Sequence, residues 1–565
     1  MSTFGLFTTL VVLFCITPYL GKYLARVYQN EPIWMSRVAG PVENLIYKIT
    51  GTNPSQEMNW KQYALAFTGF NILGMVILFL LQIFQNWLPL NPQNLPSVRW
   101  DLAFNTAVSF MTNTNWQSYS GETTLSQLVQ MAGLTVQNFL SAASGMAVMV
   151  AVIRGFTRRD TSLIGNFWVD MTKSVLYILL PLSLLMGVFL VSQGVLQNIH
   201  GPVMVKTLEG SQQSLPMGPV ASQIAIKQLG SNGGGYFGVN SAHPFENPNS
   251  LTNLMELLAI LLLPVSLVFT FGYLCKNPKQ GQAFFWVMMI LFLLGAGVVY
   301  WSETHSAHQL IKSGLSGSGY MEGRETRFGA MASALWGHIT TVTSNGSVNA
   351  MHDSFQPLTI LVYLFNMSIG EVIFGGVGVG LLGLLYYVFL TMFIAGLMIG
   401  RTPEFLQKKL GPREMILSLT ALLLPPVLAL IFSAAAVINP STQAAIHNPG
   451  AHGLSEVLYA FLSAAGNNGS GMAGLGTNTV FYNLSLGFIM LACRFATILP
   501  GLAIAGSLAE KKMTPITSAV FPTTGVLFVV MVTGVVIVMG ALTCFPVFAL
   551  SPILEHLQGL LLPPF

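Results

Sequence analysis

Four stretches of this 565-residue chain end in the same kind of chemistry. They read "DLAFNTAVSFMTNTNWQSYSGE", "PVASQIAIKQLGSNGGGYFG", "RFGAMASALWGHITTVTSNGSVNAMHDS" and "SEVLYAFLSAAGNNGSGMAG". Each runs a semi-apolar segment into small polar residues and glycine. A cation entering a narrow pore must shed its water, and backbone carbonyls of an extended loop can replace the lost oxygens. Four such loops around an axis make a cage. Pointing successive carbonyls one way needs backbone angles that glycine reaches cheaply. Small hydrogen-bonding side chains are needed to hold the loop from behind. The turns "TNTNW", "SNGGG", "SNGSV" and "NNGSG" meet both demands. Three carry Asn-Gly at one place: Asn232-Gly233, Asn345-Gly346 and Asn468-Gly469. The first offers either Asn113-Thr114 or Thr114-Asn115 there.

The elements that must position these turns follow from length. Each semi-apolar segment has about 10–14 residues before its turn, too few to cross a bilayer and suited to a re-entrant helix. The C-terminal end of such a helix carries partial negative charge and favours a cation. Ten other segments reach the ~20 apolar residues of a spanning helix. They lie near 3–24, 62–86, 127–153, 170–195, 252–275, 282–302, 369–399, 413–438, 480–507 and 517–548. Asn113, Asn232, Asn345 and Asn467 recur at intervals of 119, 113 and 122 residues, each with a span before and after. The expected fold is therefore an all-α polytopic membrane protein with ten transmembrane helices. Four pseudo-symmetric units of helix, re-entrant pore helix and helix surround a central filter, with one extra helix at each end. The divisions fall at 1–61 (first extra helix and its loop), 62–153, 154–275, 276–400 and 401–510 (the four repeats) and 511–565 (last extra helix).

Composition agrees. The chain is 53% apolar and only 8% charged, against about 25% charged in soluble domains. Its surface must face lipid. The net charge of +4 gives no footing for nucleic acid. Cys15, Cys275, Cys493 and Cys544 are scattered, without zinc or disulfide spacing. The apolar N-terminus has its charges after the apolar run, the order of a retained helix rather than a cleaved signal. Seventeen of the 24 Lys and Arg fall in or beside alternate loops on one side and six on the other, with Arg494 inside a span. The richer side is expected to be cytoplasmic, so both termini face outward.

Charges inside spans are costly and mark function. Glu371 lies 25 residues past Gly346, and Arg494 lies 25 past Gly469. Equal offsets in homologous units predict that the two approach each other below the filter, where a cation would oppose free escape of ions to the cytoplasm. Glu256 is expected nearer the outer half. The run "GGVGVG" beyond Glu371 (Gly375 to Gly380) packs helices closely or permits a break that could gate an exit. Gly233, Gly235 and Gly238 match GxGxxG with no strand to support it, so no dinucleotide site follows. Walker A, DKTG, HExxH and GxSxG motifs are absent, and chemical catalysis is not expected.

The stretches "TNTNWQSYSGE", "NGGGYFGVNSAHPFENPN", "AMHDSF", "GRTPEFLQKKLGPREM" and "NNGSGMAGL" together resemble the potassium-binding A subunits of Kdp-type ATPases, within the superfamily of potassium transporters. The resemblance covers essentially the whole chain. It implies K+ as the transported ion and a bacterial cytoplasmic (inner) membrane location. It implies a high-affinity uptake complex with a P-type ATPase subunit that uses ATP, a single-span accessory subunit and a small membrane peptide. Potassium would pass from this chain to the ATPase subunit through an intramembrane tunnel. The family's filter residues correspond here to Asn113, Thr114 and Gln117; Ser231, Asn232 and Gly233; Ser344, Asn345 and Gly346; and Asn467, Asn468 and Gly469. Its coupling residues correspond to Arg494 and Arg401, and its kinked third-repeat helix to the run after Glu371 containing Gly375 and Gly376. The filters keep only the central Gly of TVGYG channels, in three repeats. The alternative is an autonomous channel or symporter of the same superfamily gated by a nucleotide-binding ring. The two extra spans and Arg494 favour the pump subunit.

Overall fold

The computed structural model describes residues 3–305, 320–514 and 521–561. Lys312, residues 517–520 of the last predicted span and residues 562–565 lie outside the described residues. In chain order the helices are α1 (Thr3–Tyr28), α2 (Ser36–Thr50), α3 (Trp60–Ile83), α4 (Trp100–Met111) and α5 (Val136–Thr157). They continue with α6 (Phe167–Ser192), α7 (Val220–Leu229), α8 (Ser250–Leu274) and α9 (Pro278–His305). Then come α10 (Ala330–Val342), α11 (Pro357–Ser368), α12 (Val379–Ile399), α13 (Pro412–Ile438) and α14 (Gly450–Gly466). The last are α15 (Val480–Glu510), α16 (Val526–Leu550) and α17 (Pro552–Leu561).

Ten helices among the described residues are long and apolar enough to span a membrane: α1, α3, α5 with its π-helical lead-in, α6, α8, α9, α12, α13, α15 and α16. The chain is a multi-pass membrane protein. Local sequence sets several of the helix starts. Asn59 accepts from Lys61 N and Gln62 N while Gln62 returns a bond to the Asn59 N–H, a reciprocal cap for α3. Asn249 does the same for α8 with Thr252, and proline opens α11 and α13 where its missing N–H costs nothing.

Burial separates inner from outer helices. The most apolar windows of α5, α8, α12 and α15, the spans after the four turns, are 83%, 72%, 67% and 61% buried. The spans before the turns, α3, α6, α9 and α13, are 22%, 39%, 50% and 28% buried. The helix after each turn is thus the inner one, and its partner faces lipid. The extra helices α1 and α16, at 33% and 28%, are peripheral. α1 packs along α8, and α16 packs on α9, α11 and α12.

Two expectations need correction. The predicted span 369–399 is not one helix. α11 stops at Ser368, residues 369–378 form a loop, and α12 starts only at Val379. Glu371, Phe374, Gly375 and Gly378 adopt left-handed backbone angles there, which a helix cannot contain. Helix is also not the sole structure. Three two-stranded antiparallel sheets, Met58–Asn59 with Leu163–Gly165, Val203–Lys206 with Gln212–Leu215, and Glu404–Phe405 with Lys408–Lys409, tie loops together outside the spans.

On the face rich in basic residues, Arg154 of α5 grips Asp170 of α6 through two short bonds of 2.6 and 2.8 Å, and Tyr63 of α3 donates to the same carboxylate. Asp170 is wholly buried and Arg154 mostly so. Asp170→Ala leaves a buried guanidinium without its partner, a loss of about 3–5 kcal/mol. The expected outcome is a lowered melting temperature in detergent, read by a thermal-shift assay, and an unchanged melting curve would show that the pair contributes nothing.

Candidate cation filter

Each of the four turns follows a short helix: α4, α7, α10 and α14, of 12, 10, 13 and 17 residues. The fourth is longer than the sequence suggested. All four helices end alike. The N–H groups of Thr114, Asn232, Asn345 and Asn468 fold back onto the carbonyls of Ser109, Lys227, Thr340 and Ser463. This return bond occupies orphan carbonyls at each helix end and fixes where each turn begins.

Backbone angles align the repeats. Asn113, Ser231, Ser344 and Asn467 have φ of +66°, +44°, +52° and +55°. Two residues on, Asn115, Gly233, Gly346 and Gly469 have φ of +56°, +91°, +75° and +100°. The residues between them are not left-handed. The same alternation of backbone angles recurs in all four turns, and alternation of this kind is what a cage of backbone carbonyls needs. The register differs from the Asn113, Asn232, Asn345, Asn467 spacing read from sequence. Thr114-Asn115 aligns with the three Asn-Gly pairs, and Asn467 aligns with Ser231 rather than Asn232. Asn115 stands in the glycine position because Asn tolerates left-handed angles better than other side-chain-bearing residues.

The loops close on one another in a ring. A Cβ added to Gly233 would overlap the Asn345 carbonyl, one on Gly346 the Asn468 carbonyl, and one on Gly469 the Thr114 carbonyl. Between the first two repeats, Asn115 Nδ2 donates to the Gly233 carbonyl at 2.9 Å. Gln117 spans the same seam at the outer mouth, accepting from Gly235 N at 2.8 Å and donating to the Gly235 carbonyl at 3.1 Å. Asparagine side chains stitch neighbouring repeats. Asn345 Nδ2 caps the Lys227 carbonyl of α7 at 3.1 Å, and Asn468 Nδ2 caps the Thr340 carbonyl of α10 at 2.8 Å. Asn232 breaks the pattern and bonds Asn113, Ser141 and the Asn138 carbonyl. Asn467 bonds Thr114 Oγ1 and the Met490 carbonyl, both at 3.0 Å.

The fourth loop has a support that sequence reasoning did not single out. Asn468 donates to a backbone carbonyl, so its Oδ1 is the atom that receives Ser470 N at 2.9 Å and Ser470 Oγ at 2.5 Å. The Ser470 hydroxyl proton is thereby used, and its oxygen must accept from Tyr459, 2.9 Å away. Tyr459 must in turn accept from His352 Nδ1 at 2.8 Å. Burial pushes the His352 pKa down to about 3, so the ring is neutral and its proton sits on Nδ1. A backbone carbonyl of one pore helix thus orients a chain of four side chains. Behind the second loop, Lys227 of α7 pairs with Glu246 at 2.5 Å, both wholly buried. Glu256 receives Gln228 and Ser241 at 2.7 and 2.8 Å.

Two spaces flank the ring. An outer vestibule of about 550 Å³ is lined by residues that include Asn115, Gln117, Gly234, Gly346, Gly469 and His352. A cavity of about 60 Å³ on the other side is lined by residues that include Asn113, Ser344, Gly376, Asn467 and Arg494. Residues 369–378 lie against the inner side of the ring: Gly375 N donates to the Val342 carbonyl at the end of α10, and Val377 N to Ser231 Oγ. Glu371 turns up within this loop to receive Ser344 Oγ and abuts Gly466. Gly375 and Gly380 are in backbone contact, so neither has room for a side chain.

Glu371 and Arg494 border the same region below the ring without pairing. Among the described residues no ion pair joins them. Arg494 is buried in the unbroken helix α15, with its Nε unbonded and its guanidinium against the cavity, whereas the break at Ser368 carries Glu371 to Ser344. Arg401 is exposed at the end of α12 and does not line the cavity.

The sequence profile described as "Potassium-transporting ATPase A subunit" matches residues 7–557. A "Potassium-transporting ATPase potassium-binding subunit" of Pseudomonas syringae pv. tomato is 54% identical over 549 residues, covering 97% of each chain. The like-named protein of Herpetosiphon aurantiacus is 53% identical over 564 residues, again covering 97% of each. The crystal structure of the potassium transporter TrkH from Vibrio parahaemolyticus superposes with a TM-score of 0.51 at 14% identity, covering 88% of this chain and 96% of that one. This likeness is one of fold.

Two substitutions read the ring directly. Gly346→Ala places a Cβ against the Asn468 carbonyl at a left-handed position and is expected to raise the K+ concentration for half-maximal binding at least tenfold, measured by ion-binding calorimetry. Tyr459→Phe leaves the His352 Nδ1 proton buried without an acceptor, a penalty of about 1–3 kcal/mol, and removes the donor to Ser470 Oγ, which keeps its bond to Asn468. Its expected outcome is weakened discrimination between K+ and Na+ in the same assay, with the fold retained by size exclusion.

Proposed function

The chain belongs to the potassium-transporting ATPase A subunit family, and from that premise we propose how it works as the potassium-binding subunit of an ATP-driven uptake complex. The observation that carries the reading is the closed ring of four left-handed turns between an outer vestibule and an inner cavity bearing Arg494. Potassium enters the vestibule from outside, sheds water and is held by carbonyls of the four turns. Asn113 to Asn115, Ser231 to Gly233, Ser344 to Gly346 and Asn467 to Gly469 form this filter, and Gln117 braces its mouth.

The inner side opposes a straight exit. The loop 369–378 underlies the ring, and Arg494, which has no ion-pair partner among the described residues, places a positive charge on the cavity below it. Repulsion between unit charges 4 Å apart is about 4 kcal/mol at an effective dielectric of 20. The easier route from the cavity is sideways, to a partner in the membrane. That partner is a P-type ATPase subunit, which uses ATP; a single-span subunit and a small membrane peptide complete the assembly. Glu371, Gly375 and Gly376 set the position of the loop and so govern access, and Arg401 marks the cytoplasmic edge of the same repeat. The complex sits in the bacterial inner membrane with both termini of this chain outward, a reading the Lys and Arg distribution supports.

The test is purification in mild detergent followed by an ATPase assay of the co-purified assembly. Hydrolysis stimulated by K+ is expected. Steady K+ conductance by the isolated chain in liposomes, with no ATPase partner recovered, would favour the autonomous-channel reading instead. Arg494→Ala is expected to raise passive K+ flux through reconstituted protein, followed with a K+-sensitive dye, and to lower K+ transported per ATP. Unchanged flux and coupling would remove Arg494 from the mechanism.

A further inference from the structure

The outer ends of the third and fourth repeats hold a cluster that the filter does not use. Asp353 follows the third turn, His452 and Glu456 lie one helical turn apart at the start of α14, and Glu555 lies on α17. His452 Nε2 is 3.2 Å from Asp353 Oδ1 and 3.9 Å from Glu456 Oε1, and the three groups present one ligand atom each within 4.8 Å of one another. On the other edge of the ring, His452 Nδ1 is 2.8 Å from Glu555 Oε1. Asn448 Nδ2 reaches Glu456 Oε1 at 2.6 Å and Asp353 Oδ2 at 3.2 Å.

Three features of this arrangement ask for a cation. Three carboxylates surround His452, with His447 near enough to act on Glu456, and among the described residues no Lys or Arg is ion-paired with any of the three. Even a charged His452 leaves the cluster negative, and buried charge without a counter-ion is costly. Glu456 is wholly buried, and its Oε2 meets no hydrogen-bond donor. The spacing also fits a metal. A tetrahedral ion with ligands at about 2.0–2.2 Å sets its donor atoms roughly 3.3–3.6 Å apart, between the two separations seen.

We propose that Asp353, His452 and Glu456 form a divalent transition-metal site of zinc type on the outer face, with Glu555 as the carboxylate that orients the histidine. One imidazole nitrogen with two carboxylate oxygens suits zinc and its neighbours and not the all-oxygen shells of magnesium or calcium. Ligating histidines commonly donate their second ring N–H to a carboxylate, which is the part Glu555 takes. The bound metal joins three segments distant in sequence: the loop after the third filter turn, the start of the fourth pore helix and the C-terminal helix α17. It sits one residue from His352, which begins the hydrogen-bond chain to Asn468.

The test uses the purified complex, stripped with chelator and dialysed against Zn2+ or Co2+. One equivalent per chain is expected by elemental analysis, with a visible absorption band for Co2+ and no displacement by millimolar Mg2+ or Ca2+. His452→Ala and Glu456→Gln should each lose that equivalent while keeping their elution profile and melting temperature. Glu555→Gln should weaken binding 10–100-fold. Hydrogen exchange in α17 should slow on adding Zn2+ to the parent protein and not to the His452→Ala variant. Failure to bind Zn2+ or Co2+, or equal binding by the His452→Ala and Glu456→Gln variants, would overturn the proposal and leave a protonated His452 clamp.

Discussion

A bare cation inside a bilayer needs a full set of oxygens, and every backbone group there must also be satisfied. These two requirements govern the centre of this protein. Backbone that is neither helix nor sheet is tolerated at membrane depth only inside protein or along a water-filled space. The four turns obey that rule because each is anchored by its own helix end and by side chains from neighbouring repeats. The return bonds onto Ser109, Lys227, Thr340 and Ser463 satisfy carbonyls that would otherwise be orphaned. The alternating left-handed residues recur at the same two positions of every turn.

The rest of the fold serves that ring. The spans after the turns form the inner wall and those before it face lipid. Side chains behind the turns differ in part: Lys227 pairs with Glu246 behind the second, and Tyr459 with His352 and Ser470 behind the fourth. The third and fourth share an asparagine Oδ1 that receives the N–H and hydroxyl of the serine two residues on. Fourfold resemblance of the backbone therefore coexists with supports that only partly match. Asymmetry below the ring is larger still. Among the described residues, only the third repeat breaks its inner span, and only the fourth carries an arginine against the cavity. A near-symmetric ring of turns thus opens onto a space with a distinct side, marked by Arg494.

The ten spans and the re-entrant helices were legible because bilayer thickness imposes a length on apolar runs. The four turns were legible because few residue types reach left-handed angles. Asn115 was left ambiguous, since two readings of "TNTNW" fit equally until φ angles were known. The glycine run beyond Glu371 admitted a break, but its extent over 369–378 was not legible, because "SIGEVIFGGVGVG" is apolar enough to pass for part of a span.

Sequence by itself determined the ten spanning helices and the four Gly/Asn-rich turns between them, because each follows from local length, hydropathy or backbone freedom. Tertiary structure alone decided which atoms meet. Equal offsets from the filter placed Glu371 and Arg494 at matching positions, yet a glycine-permitted break turned one toward Ser344 and left the other facing a cavity. The cluster of Asp353, His452, Glu456 and Glu555 likewise spans some two hundred residues of chain. Such contacts depend on how helices from different repeats pack, and no local pattern in the chain encodes that.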